Sequence, residues 1–447
     1  MKKVLCVVLS FLMLILPCTA CTSKTEFKKT SSMLYFGDTE SEDPLRICVD
    51  IQTSALDSSE ITRAMEDFLS DVRTNIGEQE VIIEYVPFTF MLEDSVERKT
   101  AVSRLRVEFL VGAGPDVFIM HYKRNGGAFG PELDTGDVLF KSPQKVMESG
   151  LFLPLDDYME NHTQHTEWDS FPQAIMDAGR NAEGQQLIPV AYTLPVIAYP
   201  RDEFDYTPNR LLSWDDMLTD TELAPFAADL INCHFSQDKA DIYAYNPAEY
   251  LEFTLGQTAD YETGELLFTE EELLQHVKEI LALSPEDTYP LAEENLLGTK
   301  TRAYSQPITL LPMYSDDGGV TARIEFYAAV NRNTDKPEEA FKVIDTLLST
   351  ETQQGSLIYS TFLCNYYDGT YPMNDALYKK DTLIQMHPNE ENHKEFCALR
   401  EQITSANFDG EISVLLSHLL TNCFAMPEQI EKFVHETYLH MELRVRE

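Results

Sequence analysis

The chain has 447 residues and sets 34 lysines and arginines against 75 aspartates and glutamates, a formal net charge of −41. So acidic an exterior repels nucleic acid and anionic lipid headgroups, and DNA and RNA are excluded as partners. A chain this long can bury a large core and suggests about two or three domains, and its charges are spread along the sequence as a solvated surface, not gathered in a tail.

Lys2 and Lys3 precede an apolar run from Val4 to Pro17, followed by Thr19, Ala20 and Cys21. That is a positive n-region, a short h-region and a small-residue cleavage site. The run falls short of the roughly 20 apolar residues needed to cross a hydrocarbon core of about 30 Å, so residues 1–20 read as a signal peptide. Residues 18–21 resemble the bacterial lipobox, with Cys18 where that box usually has leucine. The resemblance implies a lipid on Cys21, whereas plain secretion with a coincidental cysteine is the other reading. Of eight cysteines, Cys48, Cys233, Cys364, Cys397 and Cys423 remain after cleavage and lipidation. Five is odd and the spacings are wide, which indicates neither a disulfide framework nor a zinc knuckle; most are expected to be core thiols.

Residues 21–44 are polar and charged without a sustained apolar period, and are expected to be a lipid-anchored flexible linker holding the body roughly 25 Å from the lipid. Ile47, Cys48, Val49 and Ile51 predict a strand, and Asp57-Ser58-Ser59-Glu60 then signals a helix start. Ile61, Ala64, Met65, Phe68, Leu69 and Val72 share one face of that helix. A strand over 81–86 follows, then a helix with Val102, Leu105 and Phe109 on one side, then a strand over 117–120. Strands alternating with helices imply an α/β fold with a mainly parallel sheet, which binds ligands beyond the carboxyl ends of its strands. That places Gln52, Ser54 and the run His121-Tyr122-Lys123-Arg124 on the ligand side.

Further along, residues 187–199 form a long apolar run broken by Pro189 and Pro195, as a crossing between two lobes would be. Ser213-Trp214-Asp215-Asp216 opens a short helix, residues 270–283 form another, and 324–330 a strand. Pro337 starts a helix with Ala340, Phe341, Ile344, Leu347 and Leu348 in one stripe, and a last helix carries Ile430, Phe433, Val434, Tyr438 and Met441.

No catalytic, metal or cofactor constellation survives inspection of the spacing. His435 and His440 sit at i and i+5, about 140° apart on a helix, too far around for one zinc ion. His162 and His165 have no third ligand nearby. Gly112-Ala113-Gly114 precedes a strand where a phosphate loop precedes a helix. Asp260, Glu262 and Glu271 fit a calcium-loop spacing, but Glu265 stands where that loop needs glycine, so a polar turn is expected. No GxSxG is present, and the chain is not read as an enzyme.

VGAGPDVFIM (111–120), GLFLPLDDY (150–158), IPVAYTLPVIAYPRDEFD (188–205), SWDDML (213–218), DYETGELLF (260–268), the block over 322–353 and YPMNDAL (371–377) occur in an order that resembles extracellular solute-binding protein family 1, the maltodextrin-type receptors of ABC importers. The resemblance implies a two-lobe periplasmic-binding-protein-like fold, each lobe a mainly parallel sheet flanked by helices, joined by crossing hinge segments. Lobe 1 would comprise 45–193 plus 329–375, and lobe 2 would comprise 194–328 plus 376–447. It implies a monomeric lipoprotein on the extracytoplasmic face of the cell membrane that captures a small solute and hands it to the permease subunits of an ABC transporter. A surface lipoprotein of the same fold, acting as a solute sensor or adhesin without a transporter, is the alternative.

Within the resemblance, Arg124 matches an arginine of the sugar site, while Met120 stands at its tryptophan, Lys123 at its aspartate and Thr193 at its glutamate. With only Trp168 and Trp214 in the chain, Tyr122, Tyr192 and Tyr314 are the candidates for stacking on a sugar. A carbohydrate is the first expectation. A polyol, a peptide fragment or an anionic solute stays open, because Lys123 and Arg124 add positive charge to an acidic face.

Overall fold

The computed structural model describes residues 32–51, 58–86, 95–121, 138–202, 204–208, 210–227, 250–283, 307–355, 371–374, 390–408 and 410–447. Its centre is an eight-stranded sheet. Strands β1 (Leu34–Gly37), β2 (Leu45–Asp50), β3 (Val81–Tyr85) and β4 (Val117–His121) come first in the chain, with helix α1 (Ser58–Ile76) between β2 and β3 and helix α2 (Ser95–Leu110) between β3 and β4. β2 lies between β3 and β4 and pairs parallel with both, Ile47 facing Ile83 on one side and Val117 on the other. Each helical crossover returns the chain to the same edge of the sheet, which forces the parallel pairing.

The next strands are β5 (Leu187–Thr193), β6 (Val196–Pro200), β7 (Ile308–Pro312) and β8 (Val320–Val330), and β9 (Tyr371–Pro372) and β10 (Ile403–Phe408) complete the set. β8 has 11 residues and ties the sheet together. Its Phe326–Val330 end runs antiparallel to β4, its Val320–Ile324 end parallel to β10, and β5 lies antiparallel along its other edge. The register with β5 shifts between Phe326 and Tyr327, where Pro189 faces Tyr327. Proline has no N–H for the ladder, and a bulge is where a strand tolerates one.

The apolar run 187–199 is therefore two strands separated at Pro195, as its interruption predicted. β6 leaves the large sheet and pairs antiparallel with β7, and the Met313 N–H donates to the Pro195 carbonyl at 2.7 Å, holding the outgoing and returning segments together. The return turn is clamped in its own right. Ser315 accepts from Trp214 N–H, Gly319 N–H donates to Leu212, and Asp316 N–H donates to Thr254.

The polar stretch expected to be linker up to residue 44 carries a strand instead. β1 pairs antiparallel with β3 from Leu34↔Tyr85 to Gly37↔Ile82, and Met33 is buried. Tyr35 and Phe36 pack on the core at this edge of the sheet, and the Asp38 carboxylate accepts from Val81 N–H and from Arg73. Four residues are too few to stand out as a period in a charged tract.

Helix α3 (Trp214–Thr219) has a full capping box between Ser213 and Asp216, and the buried Trp214 donates its indole N–H to Glu279 at 2.9 Å. Trp214 is a core residue. Helices α4 (Tyr250–Leu255), α5 (Glu270–Leu283), α6 (Pro337–Leu348), α7 (Glu390–Arg400), α8 (Glu411–Ala425) and α9 (Ile430–Arg446) complete the main helices. The calcium-like spacing at Asp260 is a hairpin turn, with Asp260 accepting from the N–H groups of Glu262 and Thr263 and Gly264 at φ +71°. Cys48 and Cys423 are buried free thiols and Cys397 a half-buried one; Cys233 and Cys364 lie outside the described residues. Among the described residues no helix is long and apolar enough to cross a membrane.

Candidate functional site

The carboxyl end of β4 meets the middle of β8, where His121 pairs with Phe326, and β2 ends on the other side of β4 with Asp50 paired to Met120. Asp50, the last residue of β2, is almost fully buried, and so is Arg98 in the first turn of α2. Their contact is bidentate, with Nη1 2.8 Å from Oδ1 and Nη2 donating to Oδ2 at 3.0 Å. α2 begins at the sheet's carboxyl edge because it follows β3, so its first turn brings the guanidinium to the end of β2. The Tyr85 hydroxyl donates to the Ile51 carbonyl at 3.2 Å, fixing the chain as it leaves β2. Burial, with the Asp50 charge adding to it, pushes the Tyr85 phenol well above its usual range, so it stays a neutral donor.

His121 ends β4. Its ring stacks on Phe326 of β8 with centroids 4.0 Å apart, and its Nε2 lies 3.9 Å from a Glu325 carboxylate oxygen. Glu325 in turn accepts from Arg323 at 2.8 Å, and the Arg323 guanidinium lies over the Phe253 ring of α4, 5.6 Å from its centroid. Arg323 and Glu325 stand two apart on a strand and so share a face. Thr193 faces Arg323 across the ladder, and Tyr192 faces Ile324. The Tyr192 hydroxyl accepts from Arg400 Nε at 3.0 Å, at the end of α7. Two polar sets thus stand at this end of the sheet: Asp50 with Arg98 on the face that Met120 shares, and His121 with Glu325 and Arg323 on the other, since Asp50 is in register with Met120 and His121 follows it. Such groups suit hydrogen bonding to a polar solute. No group of three metal-ligating side chains occurs among the described residues.

The structure brings two of the expected site residues, Tyr192 and Thr193, to this region, both buried. Tyr314 is buried elsewhere, its hydroxyl donating to Gln402 at 3.4 Å, and Gln402 accepts from Val320 at the far end of β8. Six residues of strand, about 20 Å, separate Val320 from Phe326. Cys21, Gln52, Ser54, Tyr122, Lys123 and Arg124 lie outside the described residues. The chain passes out of the described region at Ile51 and at His121, both at this end of the sheet.

Sequence reasoning missed Asp50, Arg98, Arg323, Glu325 and Arg400. Three of these left a signal. Arg98 continues the Val102–Leu105–Phe109 stripe backward by one turn, a charge on a buried helix face, which requires a partner. Arg323 and Glu325 interrupt an apolar strand at a period of two.

No family model matches the sequence, and no curated protein matches it. The backbone is similar to that of a periplasmic oligogalacturonide binding protein from Yersinia enterocolitica, at 11% identity over 90% of this chain and 99% of that one, with a TM-score of 0.50. A cyclic alpha-maltosyl-1,6-maltose binding protein from Arthrobacter globiformis aligns at 12% identity over 90% of this chain and 100% of that one, TM-score 0.49. An extracellular solute-binding protein family 1 member from Alicyclobacillus acidocaldarius aligns at 12% identity over 91% of this chain and 100% of that one, TM-score 0.47. The Yersinia structure establishes the fold: the chain is an α/β protein of the two-lobe kind found in periplasmic solute-binding proteins.

Proposed function

We propose that the protein is a non-catalytic receptor that encloses a small solute, a carbohydrate, between two lobes and delivers it to an ABC importer from a lipid anchor on Cys21. The observation that carries this reading is the pair of polar sets, Asp50 with Arg98 and His121 with Arg323 and Glu325, at the end of the sheet where β2 and β4 finish, in a fold shared with a solute-binding protein. Open α/β sheets bind ligands there. The same edge is where the chain leads into Gln52 and Ser54 after β2 and into Tyr122, Lys123 and Arg124 after β4, which are the proposed ligand contacts with Tyr192 and Thr193. A lobe boundary at 193–194 lies beside Pro195, where the chain leaves the large sheet, whereas 328–329 falls inside β8; the chain has already rejoined the sheet after the 313–319 turn, so we place the second crossing at that turn.

The test is a thermal-shift screen of the mature protein against oligosaccharides, polyols, peptides and organic anions. A ligand at about a hundred times its dissociation constant stabilises the native state by about 2.7 kcal/mol, a shift of several degrees. The hit is expected to be an oligosaccharide recovered unchanged after long incubation. A chemically altered product would replace the receptor reading with an enzymatic one.

A further inference from the structure

α2 carries apolar residues on two opposite sides. Its sheet-facing side holds Arg98, Ala101, Val102, Leu105 and Phe109, all buried. Arg104 on the flank reaches Glu84 and Glu108, while Arg46 of β2 reaches the same two carboxylates. The opposite side runs Val96, Thr100, Ser103, Val107, Leu110, with Val111 just past the helix end. These positions fall at i, i+4, i+7, i+11 and i+14, one face of a helix about 22 Å long. All six are exposed, and the four large apolar ones are between 62% and 72% accessible. No charge stands on this stripe, in a chain that carries 75 acidic residues. An exposed apolar strip of this kind marks an interaction surface.

Ser32 and Met33 are buried beside this helix, and Arg104 Nη2 contacts the Met33 sulfur at 2.6 Å, one helical turn from Val107. Ten residues lie between Cys21 and Ser32, eleven Cα steps that span at most about 40 Å at full extension. Residues 22–31 carry Lys24, Lys28 and Lys29 against Glu26 alone. We infer that the outer face of α2 rests on the lipid surface that holds the anchor, an inference that rests on lipidation of Cys21. An apolar helix strip tethered through a basic segment is drawn to the headgroup boundary. A strip too weak to hold a free protein there suffices when a short tether raises its effective concentration to the millimolar range. The repulsion between the acidic body and anionic lipid is screened beyond about 8 Å at physiological salt. Contact at α2 turns the sheet's carboxyl edge to a fixed orientation over the membrane.

The experiment uses the full lipidated chain in vesicles of phosphatidylglycerol and phosphatidylethanolamine containing brominated acyl chains, with Val107→Trp compared against Leu439→Trp, an exposed leucine of α9. Trp168 and Trp214 give a background common to both, subtracted with the unsubstituted protein. Flotation reads the anchor and quenching reads the contact. The expected result is that both variants float and Val107→Trp is quenched about threefold or more over Leu439→Trp. Equal quenching in protein that floats overturns the contact alone, and protein that does not float overturns the anchor and the contact with it. Val107→Trp emission that shifts to the blue with rising protein density, without quenching, assigns the strip to a second copy and overturns the lipid contact. Unchanged melting of both variants confirms that the substitutions leave the fold intact.

Discussion

α2 and α6 lie against the same α/β body and are fastened by different physics. α6 buries Ala340, Phe341, Val343, Ile344, Leu347 and Leu348, with Pro337 at its start and Glu338 and Glu339 in its first turn. The apolar stripe faces in and was legible from its period alone, and the buried charge of the helix, Asp345, accepts from the backbone N–H groups of Gln164, His165 and Thr166 instead of from a side chain of the sheet. α2 keeps part of that stripe but sets Arg98 in it and flanks it with Arg104 and Glu108, while Val96, Val107, Leu110 and Val111 face out. Packing of the first kind needs only volume and position. The second kind needs named partners on β2 and β3, so α2 has one seating on the sheet, with Arg98 locked at the strand ends where a solute would bind.

Two substitutions of the largest expected size separate the mechanisms. Phe341 is fully buried, with ring neighbours Tyr158 at 5.9 Å and Trp168 at 6.2 Å. Phe341→Ala should cost about 3 to 5 kcal/mol in denaturant unfolding, from lost transfer and the cavity left behind. Arg98→Met should cost a similar amount, about 3 to 5 kcal/mol, because it strands Asp50 as an uncompensated buried charge. The pair diverges on rescue. Adding Asp50→Leu to Arg98→Met removes the orphaned charge and should recover most of the loss, since apolar replacement of a buried ion pair is close to neutral. If the double variant is as unstable as the single, Arg98 stabilises by packing and the contrast with α6 fails.

The solute comes next in size. Arg124→Ala should weaken binding by roughly tenfold to a hundredfold, the worth of a charged hydrogen bond of about 1.5 to 3 kcal/mol, with melting in the absence of solute unchanged. Calorimetry that finds equal affinity removes Arg124 from the proposed contacts. Alongside it, Cys21→Ser should abolish labelling by a tagged fatty acid, and a labelled, membrane-bound variant would disprove the anchor.

The β-α-β-α-β order from β2 to β4 was readable because each element carries its own period, and so was the break at Pro195. β8 was expected only from 324, because Thr321 and Arg323 disguise its first half, which is buried against β10 and β5. The site was far less legible than the fold. Asp50 and Arg98 are 48 residues apart, and Tyr192 and Arg400 are 208 apart. A pattern in a single helix or strand reveals that a charge sits on a buried face, as for Arg98, but the identity of its partner is a tertiary fact. Tyr192 and Tyr314 looked alike in sequence, each in an apolar run near a proline, and they separate only because one faces β8 near Arg323 and the other is pinned beside Gln402.

The smallest effect is expected at the outer face of α2, and there the comparison is sharpest within one helix. Phe109 is buried, with ring centroids 5.0 Å from Phe118, 5.3 Å from Phe140 and 5.7 Å from Phe152. Val107, two residues earlier, is 62% exposed. Val107→Ser should change unfolding free energy by no more than about 0.5 kcal/mol, as for a surface site without a cap or partner. Serine and valine also differ little in helix propensity, so the backbone adds no offsetting term. Chemical denaturation of the protein in detergent-free buffer reads this directly. A loss above about 1 kcal/mol would mean that Val107 is packed in solution, against a second copy or another part of the chain, and would take away the free apolar strip on which the lipid contact depends. A loss within the stated range leaves an apolar surface that folding does not require, which the anchored protein is free to spend on its membrane.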